Sequence, residues 1–114
     1  MRLRVYISII YETNMITAIF VPEYEGFEWD EANVEKNWLA HHVSPGEAEQ
    51  VFFNKPLLVV DDPGHSKREE RHYVLGRTDL GRLLFIAFTV RGKNICVLSA
   101  RDMSRKERNA YRHL

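Results

Sequence analysis

Hydrophobic and polar positions along this chain change period twice, and each change marks a new kind of element. Residues 3–10 and 16–21 are two β-type apolar runs, separated by Tyr11-Glu12-Thr13-Asn14 and closed by Pro22. From residue 30 the spacing becomes helical. Asp30 is suited to cap a helix running to about His42, with Glu31 at its positive end, and Ala32, Trp38, Leu39 and the preceding Trp29 are expected to form its buried stripe. Ser44-Pro45-Gly46-Glu47 predicts a second helix: Ser44 as N-cap, Pro45 where a missing N–H costs nothing, and Glu47 completing a capping box. Ala48, Val51 and Phe52 then follow at helical spacing.

From residue 57 the pattern turns to strands. Residues 57–60, 72–78, 82–91 and 95–101 are rich in branched and apolar side chains. The short connections Thr78-Asp79-Leu80-Gly81 and Arg91-Gly92-Lys93-Asn94 predict antiparallel neighbours. Residues 83–90 are apolar almost throughout, as in a central strand covered on both faces. A second capping-box pattern, Ser104 to Glu107, opens a basic last helix carrying Tyr111. The expected fold is α+β: two N-terminal helices, a four-stranded antiparallel sheet and a C-terminal helix. Residues 27–114 form the expected domain. Residues 1–26 read as an extension, either a β-hairpin or a detached arm, and Met15 offers an alternative start.

With 114 residues the chain has the size of one domain, and 45% hydrophobic and 28% charged residues are ordinary for a soluble protein. Arg2, Arg4 and the apolar stretch after them are too short and too acidic downstream for a secretion signal, so a cytoplasmic protein without membrane contact is expected. The single Cys96, within Ile95-Cys96-Val97-Leu98, reads as a buried thiol. The net charge of zero conceals an asymmetry. Residues 1–62 hold four Lys or Arg against eleven Asp or Glu, whereas residues 63–114 hold twelve against five. A basic half can attract a phosphate chain while an acidic half faces elsewhere; two solvated surfaces of opposite sign are the plainer reading.

The ordered motifs carry more than any of these properties alone. Phe27-Glu28-Trp29-Asp30, Asn37, His41, Val43 and Val51-Phe52 are followed by Asp62-Pro63-Gly64-His65-Ser66 and Glu69-Glu70-Arg71. Then come Gly81-Arg82-Leu83-Leu84, Ser99-Ala100-Arg101 and Glu107-Arg108 with Tyr111. In this order, over residues 27–112, the chain resembles the BrnT family of bacterial type II toxins. The resemblance implies a RelE-like fold and a small metal-independent ribonuclease that inhibits translation. It also implies a BrnA-like antitoxin as partner, RNA as substrate, and assembly as a dimer or as a heterotetramer with the antitoxin. Three basic positions usual in the family are replaced: Asn33 stands for Lys, Ala40-His41-His42 for Lys-His-Gly, and Cys96 for Arg. The competing reading is therefore a weak or inactive relative that keeps the scaffold as a binding module.

Cleaving RNA without metal requires moving a proton from a ribose 2′-hydroxyl, stabilising a doubly charged phosphorane and protonating the leaving oxygen. His and Glu move protons near neutral pH, and Arg grips phosphate through a planar fork. Residues 65–82 offer all of these closely. His65 and Glu70 are the candidates for proton transfer, with Arg71 and Arg82 as catalytic cations. Strand alternation places Arg71 and Arg77 on one side, and Arg82 is expected near Arg77 across the hairpin. Ser99 and Arg101 are expected to share a face with Ile95 and Val97. Arg77, Arg101, Arg91 and Lys36 are the candidates for binding RNA phosphates, Lys36 partly replacing the missing helical lysine. Competing roles are surface ion pairs with Glu69, Glu70 and Asp79 for Arg71, Arg77 and Arg82, the sheet-to-helix junction held through Asp102 or exposed carbonyls for Arg101, and a turn histidine bonded to Ser66 or Asp62 for His65. Adjacent His41 and His42 diverge on a helix and no zinc spacing occurs, so neither metal nor cofactor is expected.

Overall fold

Three helices begin where cap side chains satisfy the free first-turn amides. The computed structural model describes residues 6–10, 16–20, 26–60 and 71–114. Helix α1 spans Glu31–His41, with the Asp30 carboxylate accepting from the Ala32 amide, and α2 spans Pro45–Val51. In α2 the Ser44 hydroxyl accepts from the Glu47 amide while Glu47 reaches back to the Ser44 amide. Helix α3, Arg105–Arg112, repeats this box with Ser104 and Glu107. His42 ends α1 in the left-handed region at φ 53°, its amide bonded back to the carbonyls of Asn37 and Trp38. A Gly would occupy that conformation without strain.

Strands β1 (Tyr6–Ile10) and β2 (Ile16–Phe20) pair antiparallel as a two-stranded sheet. The main sheet holds β3 (Gly26–Glu28), β4 (Leu58–Val60), β5 (His72–Arg77), β6 (Leu83–Arg91) and β7 (Asn94–Asp102), in the order β3-β7-β6-β5-β4. The four antiparallel strands expected from sequence are β4 to β7, but the sheet is larger and mixed. β3 adds a fifth strand parallel to β7, with Phe27 opposite Ile95. Its three residues are too few to show a period, and its partner lies nearly 70 positions downstream, so no local signal announces the pairing.

One face of the sheet carries the main core. Val74 on β5, Leu84, Ile86 and Phe88 on β6, and Ile95, Val97 and Ala100 on β7 pack against Val43, Ala48, Val51 and Phe52. The other face is covered by α3: Tyr111 and Met103 pack on Leu75, with Leu83 and Phe85 beside them. β6 is thus covered from both sides, as its apolar run requires.

The expected alternation of β7 is broken. β6 pairs Ala87 with Ser99 but Phe88 with Val97, so Leu98 is an extra residue in the ladder. This bulge places Ser99 and Arg101 on the face opposite Val97 and Ile95, where the sequence had suggested they sit together.

The stripe expected for α1 is also corrected. Ala32 is exposed, Trp38 is 50% and Leu39 68% exposed, and only Asn37 in the helix is buried. Beyond β3, the outer edge of β7 has no strand neighbour, and α1 supplies polar groups there instead. The Asn37 side-chain oxygen accepts from the Ala100 amide at 3.3 Å, and Lys36 Nζ donates to the Leu98 carbonyl at 3.3 Å. Satisfying an open strand edge takes precedence over burying the indole.

α2 and β5 approach each other closely at Gly76. A Cβ there would stand 2.5 Å from Val51 Cγ1 and 3.1 Å from Leu57 Cδ1, so α2 fits β5 because that side chain is missing. Gly76→Ala should cost about 1–3 kcal/mol in urea unfolding. Unchanged stability would mean that α2 moves freely off the strand.

Candidate functional site

The β5–β6 turn is held from three directions. The Arg82 amide donates to the Thr78 hydroxyl at 3.0 Å, Gln50 accepts from the Asp79 amide at 3.1 Å, and Asn54 donates to Asp79 and to the Arg77 carbonyl at 2.9 Å each. This turn fixes where the Arg82 side chain starts. Its Nε donates to Asp102 Oδ1 at 2.8 Å and Nη2 to Asp102 Oδ2 at 3.1 Å. Nη1 donates to Glu47 Oε2 at 3.0 Å and the His42 carbonyl at 2.8 Å, and Nη2 to the His41 carbonyl at 3.0 Å. A guanidinium has five N–H donors, and these five bonds use them all. Arg82 thereby joins the end of α1, the capping box of α2 and the end of β7.

The charges of this clasp are mutually stabilised. The bond to Asp102 holds the Arg82 pKa well above its ordinary value, with Glu47 adding to it against the opposing effect of burial. Arg82 lowers the Asp102 carboxyl. Burial would raise Glu47, but bonds from Ser44 and Arg82 leave it lowered.

On the α3 side of the sheet a second polar surface forms. Register places Arg77 opposite Leu83, Leu75 opposite Phe85 and Tyr73 opposite Ala87, while Phe85 faces Arg101 and Ala87 faces Ser99. Alternation adds Arg71 just before β5 to the same face. Arg101 Cζ lies 4.1 Å from the centre of the Phe85 ring, and Tyr73 packs against that ring at 5.6 Å. Arg101 forms a bidentate pair with Glu107 at 2.7 and 3.1 Å and donates to the Asp102 carbonyl at 3.1 Å, which takes three of its five donors. The Arg101 bond is the main reason the Glu107 carboxyl is lowered. Beside this strip lies an open cavity of about 440 Å³ lined by Pro56, Arg77, Gly81, Leu83, Tyr111, Arg112 and Leu114. The Tyr111 hydroxyl donates to the Pro56 carbonyl, and burial raises its pKa against the opposing field of Arg77.

Residues 29–107 match the model of a family described as the ribonuclease toxin BrnT of type II toxin-antitoxin systems. The chain belongs to the BrnT family. Its fold is similar to the crystal structure of the Brucella abortus ribonuclease toxin BrnT, at a TM-score of 0.55 and 18% identity over 70% of this chain and 97% of that one. No curated protein matches it.

Against the BrnT-like site expected from sequence, the structure brings Arg77 and Arg101 to the α3-side face, while Arg71 stands just before β5, about 20 Å from Arg77 along the strand. It separates Arg82, which strand alternation turns to the opposite face from Arg77, because Leu83 and not Arg82 lies across from Arg77. Lys36 stands at the outer edge of β7, and Arg91 ends β6 about 20 Å beyond Phe85. His65 and Glu70, with Asp62, Ser66 and Glu69, lie outside the described residues. Asp79, offered as an arginine partner, instead accepts from Asn54. Sequence reasoning missed Glu47 and Glu107 as acidic partners, their capping-box signal being helical, and offered Asp102 to Arg101, which bonds its carbonyl while its carboxylate pairs with Arg82. Cys96 is buried, as its apolar run suggested. No helix among the described residues is long and apolar enough to cross a membrane, and no three His, Cys, Asp or Glu side chains there form a metal-binding group.

Arg82→Ala should lower stability by about 1–2 kcal/mol at neutral pH, a modest figure because Asp102 is 60% exposed. The pH dependence has a definite sign. The lowered carboxyls of Glu47 and Asp102, whose ordinary values are 4.5 and 3.8, contribute fully above those values and lose their contribution as pH falls through the lowered ones. Denaturation from pH 7 down to about 3 should therefore show the parent and Arg82→Ala converging in acid. A constant difference across that range contradicts the clasp.

Proposed function

We propose that this protein is a metal-independent endoribonuclease toxin that inhibits translation in the cytoplasm and is neutralised by a BrnA-like antitoxin. Membership of a family of ribonuclease toxins supports the activity class. The observation that carries the reading is the shared face of Arg77 and Arg101, with Tyr73, Phe85 and Ser99 among them. Aromatic rings interleaved with guanidinium groups suit a single RNA strand, whose bases stack while its phosphates pair.

In this reading the scissile phosphate lies over β5 and β7. Arg77 grips its non-bridging oxygens, and the Arg101 donors outside the Glu107 pair stabilise the charge that grows in the phosphorane, while Arg71, about 20 Å away along the strand, grips a phosphate further along the RNA. Glu70 and His65 are assigned the proton exchange with the 2′-hydroxyl and the leaving 5′-oxygen, on the chemistry of their side chains. Arg82 serves the scaffold, and Arg91 and Lys36 contact RNA outside the cleavage point. The functional unit is residues 27–114, residues 1–26 being an extension, on a RelE-like scaffold. A scaffold kept only for protein binding is the second reading, favoured by the bidentate Glu107 carboxylate that already occupies Arg101.

Purified, antitoxin-free protein should cleave RNA in the presence of a chelator. Arg71→Ala and Arg77→Ala should each reduce the cleavage rate at least about tenfold while the melting temperature is kept, as for loss of a charge-stabilising contact. Full activity in both variants, or stable folded protein without any cleavage, overturns the nuclease reading.

A further inference from the structure

We propose that the outward face of α1 is the docking surface for the antitoxin, and that it takes an amphipathic segment whose apolar anchors are flanked by Lys or Arg. This rests on the toxin–antitoxin reading and assigns a surface that the RNA site does not use.

A helix packed on a sheet normally buries its large apolar residues and exposes its polar ones. α1 does the reverse. Asn37 is 2% exposed and bonded to the β7 edge, while Trp38 and Leu39 stand at 50% and 68% exposure. Glu31, Glu35, Trp38, Leu39 and His42 recur at spacings of four, seven, eight and eleven, which places them along one side, opposite Asn37. The His42 ring packs edge-on against Trp38 at 5.3 Å, and left-handed His42 turns the chain away immediately after it. The indole is therefore fixed in orientation while its outer half is uncovered. A held, half-exposed Trp beside an exposed Leu is the composition of an interface anchor.

Charge selects the occupant. Glu31 and Glu35 are exposed on this face and Asp30 caps its N-terminal end, while Lys36, the lysine of α1, turns to the β7 edge. A phosphate chain is repelled there, so RNA does not bind this face. A protein segment with apolar side chains for Trp38 and Leu39, and cations about one to two helical turns away for Glu31 and Glu35, fits both halves. A second copy of α1 would place its own carboxylates against these and fits poorly.

The test uses the full chain and, as probe, the purified product of the reading frame adjacent to its own, with binding measured by calorimetry. Trp38→Ala/Leu39→Ala should weaken binding at least about thirtyfold with unchanged circular dichroism, as for loss of anchor residues. Glu31→Lys/Glu35→Lys should weaken it about tenfold at low salt and abolish most of its salt dependence. RNA cleavage by the free variants should equal that of the parent. Cleavage without any binding of the probe, or binding that both double variants leave intact, overturns the docking proposal while the nuclease reading stands. Variant-sensitive binding with no cleavage has the opposite meaning. Self-association of the parent that Trp38→Ala/Leu39→Ala dissolves assigns the face to a second copy and also overturns it.

Discussion

One extra residue in one strand decides which side chains meet in this protein. Strand side chains alternate between faces, and without the bulge at Leu98 either the core residues Ile95 and Val97 or the polar pair Ser99 and Arg101 would be on the wrong side. With it, Ile95, Val97 and Ala100 of β7 serve the core, and Ser99 and Arg101 join Tyr73, Phe85 and Arg77 on the face that α3 covers in part. Beyond the three residues that β3 pairs, the outer edge of β7 is satisfied by α1, through Asn37 and Lys36. The inverted amphipathicity of α1 follows from that polar requirement.

The arginines illustrate how one side-chain type takes two roles according to its neighbours. Arg82 meets two carboxylates and two helix-end carbonyls, and five acceptors match five donors. A fork so fully engaged stabilises the junction of α1, α2 and β7 but has nothing left for a phosphate. Arg101 is intermediate, with one carboxylate and an aromatic ring beneath it. Arg77 lies at the rim of an open cavity beside Arg112. Affinity for a phosphate chain should rise along this series, since each bond already made to the protein must be given up or shared.

Much of the architecture was legible in the residues. Capping boxes at Ser44 and Ser104 and the Asp30 cap set three helix starts, and the apolar run of residues 83–90 marked the central strand. What could not be read was non-local. Three residues at Phe27 carry no period and become a strand only because β7 offers an edge. Trp38 and Leu39 looked like core because large apolar residues usually are, whereas the open edge of β7 recruits Asn37 instead. Nothing in the sequence near Leu98 distinguishes a bulge from a regular strand. The expected partners of Ser99 and Arg101 are therefore reversed, since a one-residue shift in register turns every side chain beyond it to the other face.

The account rests on RNA phosphates lying over β5 and β7 and not near the α1–α2 junction. The salt dependence of binding to a short single-stranded RNA measures this directly, because each phosphate contact contributes about 0.7 to the slope of log affinity against log salt. Arg77→Gln and Arg101→Gln should each lower the slope by about that amount, while Arg82→Gln leaves it unchanged. A slope reduced by Arg82→Gln and untouched by the other two would place the RNA on the opposite face and contradict the account.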